Sequence, residues 1–420
     1  MNVLSGASIV LKNVIVKKRK VRFALADLFR SHDYSTSDIK RLKLLLNGTL
    51  RHYYLLDTLA KSTLSEYQEN DLEVCLFLLV LYELHYSLRT TNVNKVTEEA
   101  LSSNEELHLG FKEDDLVKKI REASLPFRFT KETVSDPYKY LPLVYSVPPF
   151  VFSRFIKQYG NKDTLRILRN MSAHRPTYVR RNESKCDEES VLSSGLFTKS
   201  LFAENLYVYS GHQAFNSTDF SKKGLMYPCD LSYALFLEKL EKLDKERILL
   251  LLGYETELVT GLETLKGRKD LMTYYPDEII YRKASYRKEK MGTKDVQSRL
   301  YSLSEEEELK KEEFSLVVLN PLSSHLGNLA EDSSSLAFLH EDDFSSFKEE
   351  QQRLLSDYAQ VVKEGGTLAY MVPTLDKEEG TKLIHSFLNA HPLYELSEER
   401  ETFPDEYDSN GIYYALIKRL

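Results

Sequence analysis

Gly365-Gly-Thr-Leu-Ala-Tyr-Met-Val-Pro-Thr-Leu375 is the stretch on which the fold turns. Within it Thr367–Val372 reads as a strand, and helical patterns flank it at Phe344–Lys363 and Lys377–Ala390. Further strands are expected at Arg247–Gly253, Leu271–Tyr275, Phe314–Asn320 and Gly411–Lys418. Strands alternating with helices imply an α/β sheet with crossover helices over the last half of the chain.

The first part reads differently. From about Lys17 to Leu125 the pattern is nearly all helical. Ser35-Thr-Ser-Asp38 is a cap cluster ahead of Ile39, Leu42, Leu46, Leu50 and Tyr53, which recur at helical spacing. The apolar run Leu72–Leu84 contains Glu73 and Glu83 and falls short of the roughly 20 residues a membrane span needs, so it predicts a core helix. Pro126, Pro137, Pro142, Pro148 and Pro149 mark a helix-breaking boundary. Beyond it, helices are expected at Phe152–Tyr159 and Thr164–Ala173, followed by short strands.

A chain of 420 residues with 42 % hydrophobic and 29 % charged residues can fold as two or three domains. The net charge of −7 excludes a uniformly basic nucleic-acid binder, and three scattered cysteines exclude a disulfide scaffold or a CxxC zinc knuckle. The basic cluster Lys17-Lys-Arg-Lys20 follows an apolar run, the reverse of a secretory signal, so a cytoplasmic location is expected. Charge is segregated along the chain. Met1–Leu56 holds eleven Lys/Arg against three acids, whereas Tyr301–Gln360 holds fourteen acids against four bases. The N-terminal excess implies a polyanion partner, with Lys17, Lys18, Arg19, Lys20, Arg22, Lys40, Lys43 and Arg51 as phosphate contacts. Arg180 and Arg181, next to Tyr178, offer a second set with a stacking ring.

No HExxH, P-loop, GxSxG or GxGxxG is present, and no metal site is expected. Ser323-Ser-His325 is read as a loop after a strand, because adjacent residues do not meet as triad members do.

Taken in order, these features resemble the Sun/RsmB family, bacterial rRNA cytosine-C5 methyltransferases with an N-terminal NusB-like domain. Asn47-Gly-Thr-Leu-Arg-His52 with Leu56-Asp57 is similar to a helix of that domain. Ser146-Val-Pro-Pro-Phe150 and Arg175-Pro-Thr-Tyr-Val-Arg-Arg-Asn182 resemble the entry to the catalytic half. Gly365–Leu375, Glu378-Glu379, Phe387-Leu388, His391-Pro392 and Gly411–Lys418 resemble its end. The resemblance implies an all-helical NusB-like domain (1–130), a small α+β linker domain (131–225) and a Rossmann-like α/β methyltransferase domain (226–420).

The family's reaction uses one cysteine thiolate to attack cytosine C6, a second cysteine for elimination, an aspartate to steady the base, and S-adenosylmethionine as donor. At the corresponding positions this chain has Pro373, Ser323 and Asn320. The glycine-rich cofactor loop corresponds to Gly253, Tyr254, Glu255 and Thr256, and the ribose-binding acid to Tyr275. The expectation is therefore an RNA-binding protein without methyl transfer and without S-adenosylmethionine, whose partner is structured, ribosomal RNA. Two rivals stand beside it: an active S-adenosylmethionine-dependent methyltransferase with a rebuilt site, and a scaffold holding a protein partner through its acidic final third. Neither a membrane nor DNA is expected as a partner.

Overall fold

The structure is a computed structural model that describes residues 1–17, 21–64, 71–87, 92–125, 134–171, 173, 175–329 and 335–420, apart from the side chains at 22 and 303–305. The chain forms two compact units, Met1–Ser172 with Glu331–Glu341, and Ala173–Ala330 with Asp342–Leu420.

The first unit is helical: α1 (Val3–Lys17), α2 (Val21–Ser31), α3 (Thr36–Arg51), α4 (Tyr53–Thr63), α5 (Leu72–Tyr86), α6 (Val93–Glu106), α7 (Glu113–Ala123), α8 (Pro137–Tyr145) and α9 (Pro149–Met171). The expected apolar run is the central helix α5, buried without interruption from Val74 to Glu83 because other helices surround it. The N-cap of α3 is Ser35, whose hydroxyl accepts the Asp38 N–H at 3.2 Å, and Leu42, Leu45, Leu46 and Leu50 form its buried stripe. Gly160, at φ 72°, breaks α9 into the two helices expected there. Of the expected helix-breaking prolines, Pro126 lies outside the described residues, Pro137 opens α8, and Pro142 is accommodated inside it. Among the described residues no helix is long and apolar enough to cross a membrane.

The second unit holds two sheets. Strands β1 (Thr177–Arg181), β2 (Phe197–Lys199), β3 (Leu206–Tyr209) and β4 (Met226–Pro228) form an antiparallel sheet in the order β2-β3-β1-β4. Strands β5 (Arg247–Leu251), β6 (Asp270–Tyr275), β7 (Gln297–Leu300), β8 (Phe314–Leu319), β9 (Val362–Val372), β10 (Tyr394–Glu401) and β11 (Tyr413–Arg419) form the larger sheet. Its order is β10-β11-β9-β8-β5-β6-β7, parallel from β7 to β9, with β11 antiparallel to both neighbours. Alternate residues of β5 serve opposite faces. Ile248 and Leu250 join the core that holds Phe236 and Leu240, and Leu249 and Leu251 join the one that holds Leu354 and Tyr358.

All five expected strands form. The unexpected β7 and β10 are edge strands with largely polar, partly exposed residues, so no apolar pattern announces them. The compact division falls at residue 172 rather than at 130 or 225. The small sheet shares one apolar core with the large one, since Tyr178, Leu206 and Tyr227 pack with Ile248, Leu250 and Leu258.

Candidate functional site

In open α/β sheets, ligands bind beyond the carboxyl ends of the strands where the strand order reverses. Here that point lies between β5 and β8, flanked by the loops 252–255 and 320–329.

The first loop is tight. Leu252 adopts φ 57°, the Tyr254 N–H donates to Leu252 O at 2.6 Å, and a Cβ on Gly253 would stand 2.6 Å from Val259 Cγ2. Gly253 therefore serves close packing of chain on chain. The helix Thr256–Glu263 begins here, and two carboxylates lie at its start. Glu257 Oε2 accepts the Asp230 N–H at 2.6 Å, and Glu255 Oε1 lies 3.5 Å from His325 Nδ1. A helix N-terminus attracts anions, and this one is already faced by the chain's own.

Tyr275, at the end of β6, is fully buried. Its hydroxyl donates to Glu263 Oε1 at 3.2 Å and accepts from Arg287 Nη2 at 2.6 Å, while Arg287 also grips both Glu263 oxygens. Burial, and then the Glu263 charge, raise the phenol well above its ordinary range. Asp277, two residues on, is the N-cap of the helix Glu278–Met291 and accepts the Ile280 N–H at 2.8 Å.

Asn320 is buried at the end of β8 and ties that strand to the chain on either side. Its Oδ1 accepts the Glu255 N–H at 3.0 Å, and its Nδ2 donates to Met371 O at 3.2 Å. Only a neutral amide serves both partners, because a carboxylate has no hydrogen to donate.

Next along the same loop, Ser323 Oγ is buried and has no hydrogen-bond partner among the described residues. The Ser324 N–H donates to Glu379 Oε2 at 2.9 Å, and its hydroxyl meets Thr374 Oγ1 at 2.8 Å. Pro373 is buried, and its carbonyl accepts the Gly327 N–H at 3.1 Å. The Gly327 carbonyl also accepts from the Gly411 N–H at 2.8 Å, and a Cβ on Gly327 would fall 1.8 Å from Gly411 O.

Glu379 is the centre of this closure, and the sequence did not single it out as a site residue. Thr374 Oγ1 and Gln351 Nε2 donate to its two oxygens at 3.2 and 3.0 Å. Burial, and then the nearby Asp376 charge, push its carboxyl up to about 7 against the hydrogen bonds from Ser324 and Gln351.

The basic residues of the first unit divide. Lys17, at the end of α1, and Lys40 and Lys43, on α3, are exposed; Lys40, Lys43 and Asn47 are spaced along one face. Arg51 is half-buried at the corner between α3 and α4, where burial and then its charge hold His52 down at about 4. Lys18, Arg19 and Lys20 lie outside the described residues, as does the side chain of Arg22. Arg41, between the two exposed lysines, turns inward to Glu83 and Glu99.

The second expected set does not lie on the surface. Strand β1 is internal to the small sheet, so Tyr178 and Arg180 are buried, Arg180 at 3 % exposure. Arg180 pairs with Glu241, Tyr178 donates its hydroxyl to Tyr407 O at 2.9 Å, and Arg181 donates to Cys186 O at 2.7 Å. These three side chains hold the unit together and are withdrawn as phosphate contacts. A short stretch of sequence does not distinguish an exposed arginine pair from one beneath a sheet. Among the described residues no group of three or more His, Cys, Asp or Glu could hold a metal ion.

The order of the large sheet, with its antiparallel β11, and the loops gathered at its switch point define a Rossmann-like methyltransferase fold. The crystal structure of PH0851 superposes with a TM-score of 0.83 over 99 % of each chain at 17 % identity, a likeness of fold. Residues 268–418 match the family model for the 16S rRNA methyltransferase RsmB/F. Two proteins described as probable ribosomal RNA small subunit methyltransferase B are similar along most of the chain. The one from Bacillus subtilis is 21 % identical over 88 % of this chain and 84 % of its own length. The one from Coxiella burnetii is 24 % identical over 99 % of each. Over these stretches the chain is similar to the Sun/RsmB family of ribosomal RNA methyltransferases.

At the positions that the resemblance assigns to S-adenosylmethionine, the side chains present are not of the type that would hold it. The ribose-binding acid is replaced by a phenol whose hydroxyl is engaged by Glu263 and Arg287, and Asp277 is engaged as a cap. The cofactor loop carries Tyr254 and Glu255 in place of glycines that would let backbone N–H groups approach a ligand.

Proposed function

We propose that this chain is a member of the Sun/RsmB family that binds RNA and does not transfer methyl groups. The observation that carries this reading is Pro373. The position of the attacking thiolate holds a ring with no nucleophilic atom, and its carbonyl is tied to Gly327. Ser323 in the second position has a hydroxyl that no described residue bonds, and Asn320 is committed to the backbone on both sides. Loss of the nucleophile, the second thiol, the acid and the cofactor loop together favours loss of the reaction over its reconstruction.

The exposed Lys17, Lys40 and Lys43 support RNA as the ligand, in a family whose substrate is ribosomal RNA. Phosphates would set affinity through these lysines, so binding should weaken steeply with salt. On this reading the protein meets ribosomal RNA in a bacterial cytoplasm. The test is methyl transfer from labelled S-adenosylmethionine to 16S rRNA by the purified chain, beside calorimetry with the cofactor alone. The expected outcome is RNA binding without incorporation or cofactor heat; incorporated methyl groups would overturn it.

A further inference from the structure

The helix Glu278–Met291 carries a feature that the switch-point site does not use. Its inward residues are accounted for. Ala284 and Met291 are buried, Arg287 engages Glu263 and Tyr275, and Lys288 Nζ donates to Val296 O and Ser298 Oγ at 2.9 and 2.8 Å. Outward, Ile279, Arg282, Lys283 and Tyr286 follow one another at i, i+3, i+4 and i+7, the spacing of a single face. Tyr286 is 71 % exposed and Ile279 58 %, and the Arg282 side chain is 74 % exposed. The helix carries five bases against two acids within a chain of net charge −7.

A solvated helix face in an acidic protein ordinarily alternates both signs of charge and keeps large apolar groups rare. This one sets two cations between two exposed apolar side chains. The Arg282–Glu278 pair, at 2.6 Å between exposed groups, is the kind that solvent screens and a phosphate displaces.

We propose that this stripe binds a single-stranded segment of RNA, with a base stacked on the Tyr286 ring and phosphates on Arg282 and Lys283. Seven helical residues rise about 10 Å, room for roughly three stacked nucleotides. An acidic peptide would satisfy the cations and leave the ring wet, and an apolar partner would cover the ring and bury the cations without an anion. A single strand answers both, since every base has a face to stack and every nucleotide a charge. The inference rests on the reading of the chain as an RNA-binding protein and adds a second contact, on the methyltransferase-like unit.

The experiment is a fluorescence titration of the full chain with a labelled single-stranded oligoadenylate across a salt series. Tyr286→Ala is expected to bind about tenfold more weakly, and Tyr286→Phe like the parent, because stacking needs the ring and not the hydroxyl. Arg282→Glu with Lys283→Glu should lower the slope of log affinity against log salt by about 1.4. Lys40→Glu with Lys43→Glu is the reference pair. If that pair weakens binding while the helix variants do not, the stripe is refuted and the RNA-binding reading stands. If the parent binds no RNA at all, both fall. Displacement of the oligoadenylate by polyglutamate equally well in the parent and in Tyr286→Ala would also refute the stripe, because it would show the ring to be idle.

Discussion

The carbonyl of Pro373 accepts the N–H of Gly327 at 3.1 Å, so the loop after β9 is joined to the loop after β8. Gly411 continues the tie through Gly327 O, and Glu379 reinforces it through Ser324 and Thr374. The end of the sheet is closed by these bonds.

On the proposed reading, placing thiols at residues 373 and 323 should not create activity. Pro373→Cys with Ser323→Cys is expected to give no methyl incorporation into 16S rRNA and no covalent RNA adduct on a denaturing gel. The cofactor positions would still hold Tyr254, Glu255 and the engaged Tyr275. A radiolabelled product from the double variant would contradict this expectation.

Reversing charge at Lys40 and Lys43 should weaken binding to rRNA fragments without changing thermal stability, because both side chains are exposed. If both meet phosphates, the salt slope falls by about 1.4 to 1.8. An unaltered slope in filter binding would remove α3 from the interface.

The Glu379 carboxyl gives a pH signature. Its ordinary value is 4.5 and the fold raises it to about 7, so in that window the native chain binds the proton more tightly than the unfolded one. Stability from this group is present at low pH and declines as pH rises through about 7, by roughly 3 kcal/mol at most. Glu379→Gln should flatten the decline between those values, measured by urea denaturation. Glu378, held low by Lys348 and then Lys382, contributes in the opposite sense and only as pH falls below its usual value. A variant as pH-dependent as the parent would refute the assignment.

Arg180→Ala should destabilise the second unit and leave RNA affinity intact. It strips Glu241 of its partner and opens space beneath β1, for a cost of roughly 3 kcal/mol, moderated because Glu241 keeps some solvent. The check is a denaturant midpoint beside an RNA titration at a temperature where the variant is folded. Weaker RNA binding by the folded variant would return Arg180 to the interface.

The five principal strands, the helical first half and the central helix α5 were legible along the chain, because each is set by the period and length of its own apolar residues. Residue 373 is a proline in the sequence itself, a side chain that no environment makes nucleophilic. The tertiary structure decided what depends on neighbours distant in sequence. It put Tyr178 and Arg180 inside rather than outside, because β1 is an internal strand. It gathered Ser324, Gln351, Thr374 and Glu379, separated by up to 55 residues, into one buried network. Local pattern reports what a segment prefers; burial and partnership are properties of the packed whole.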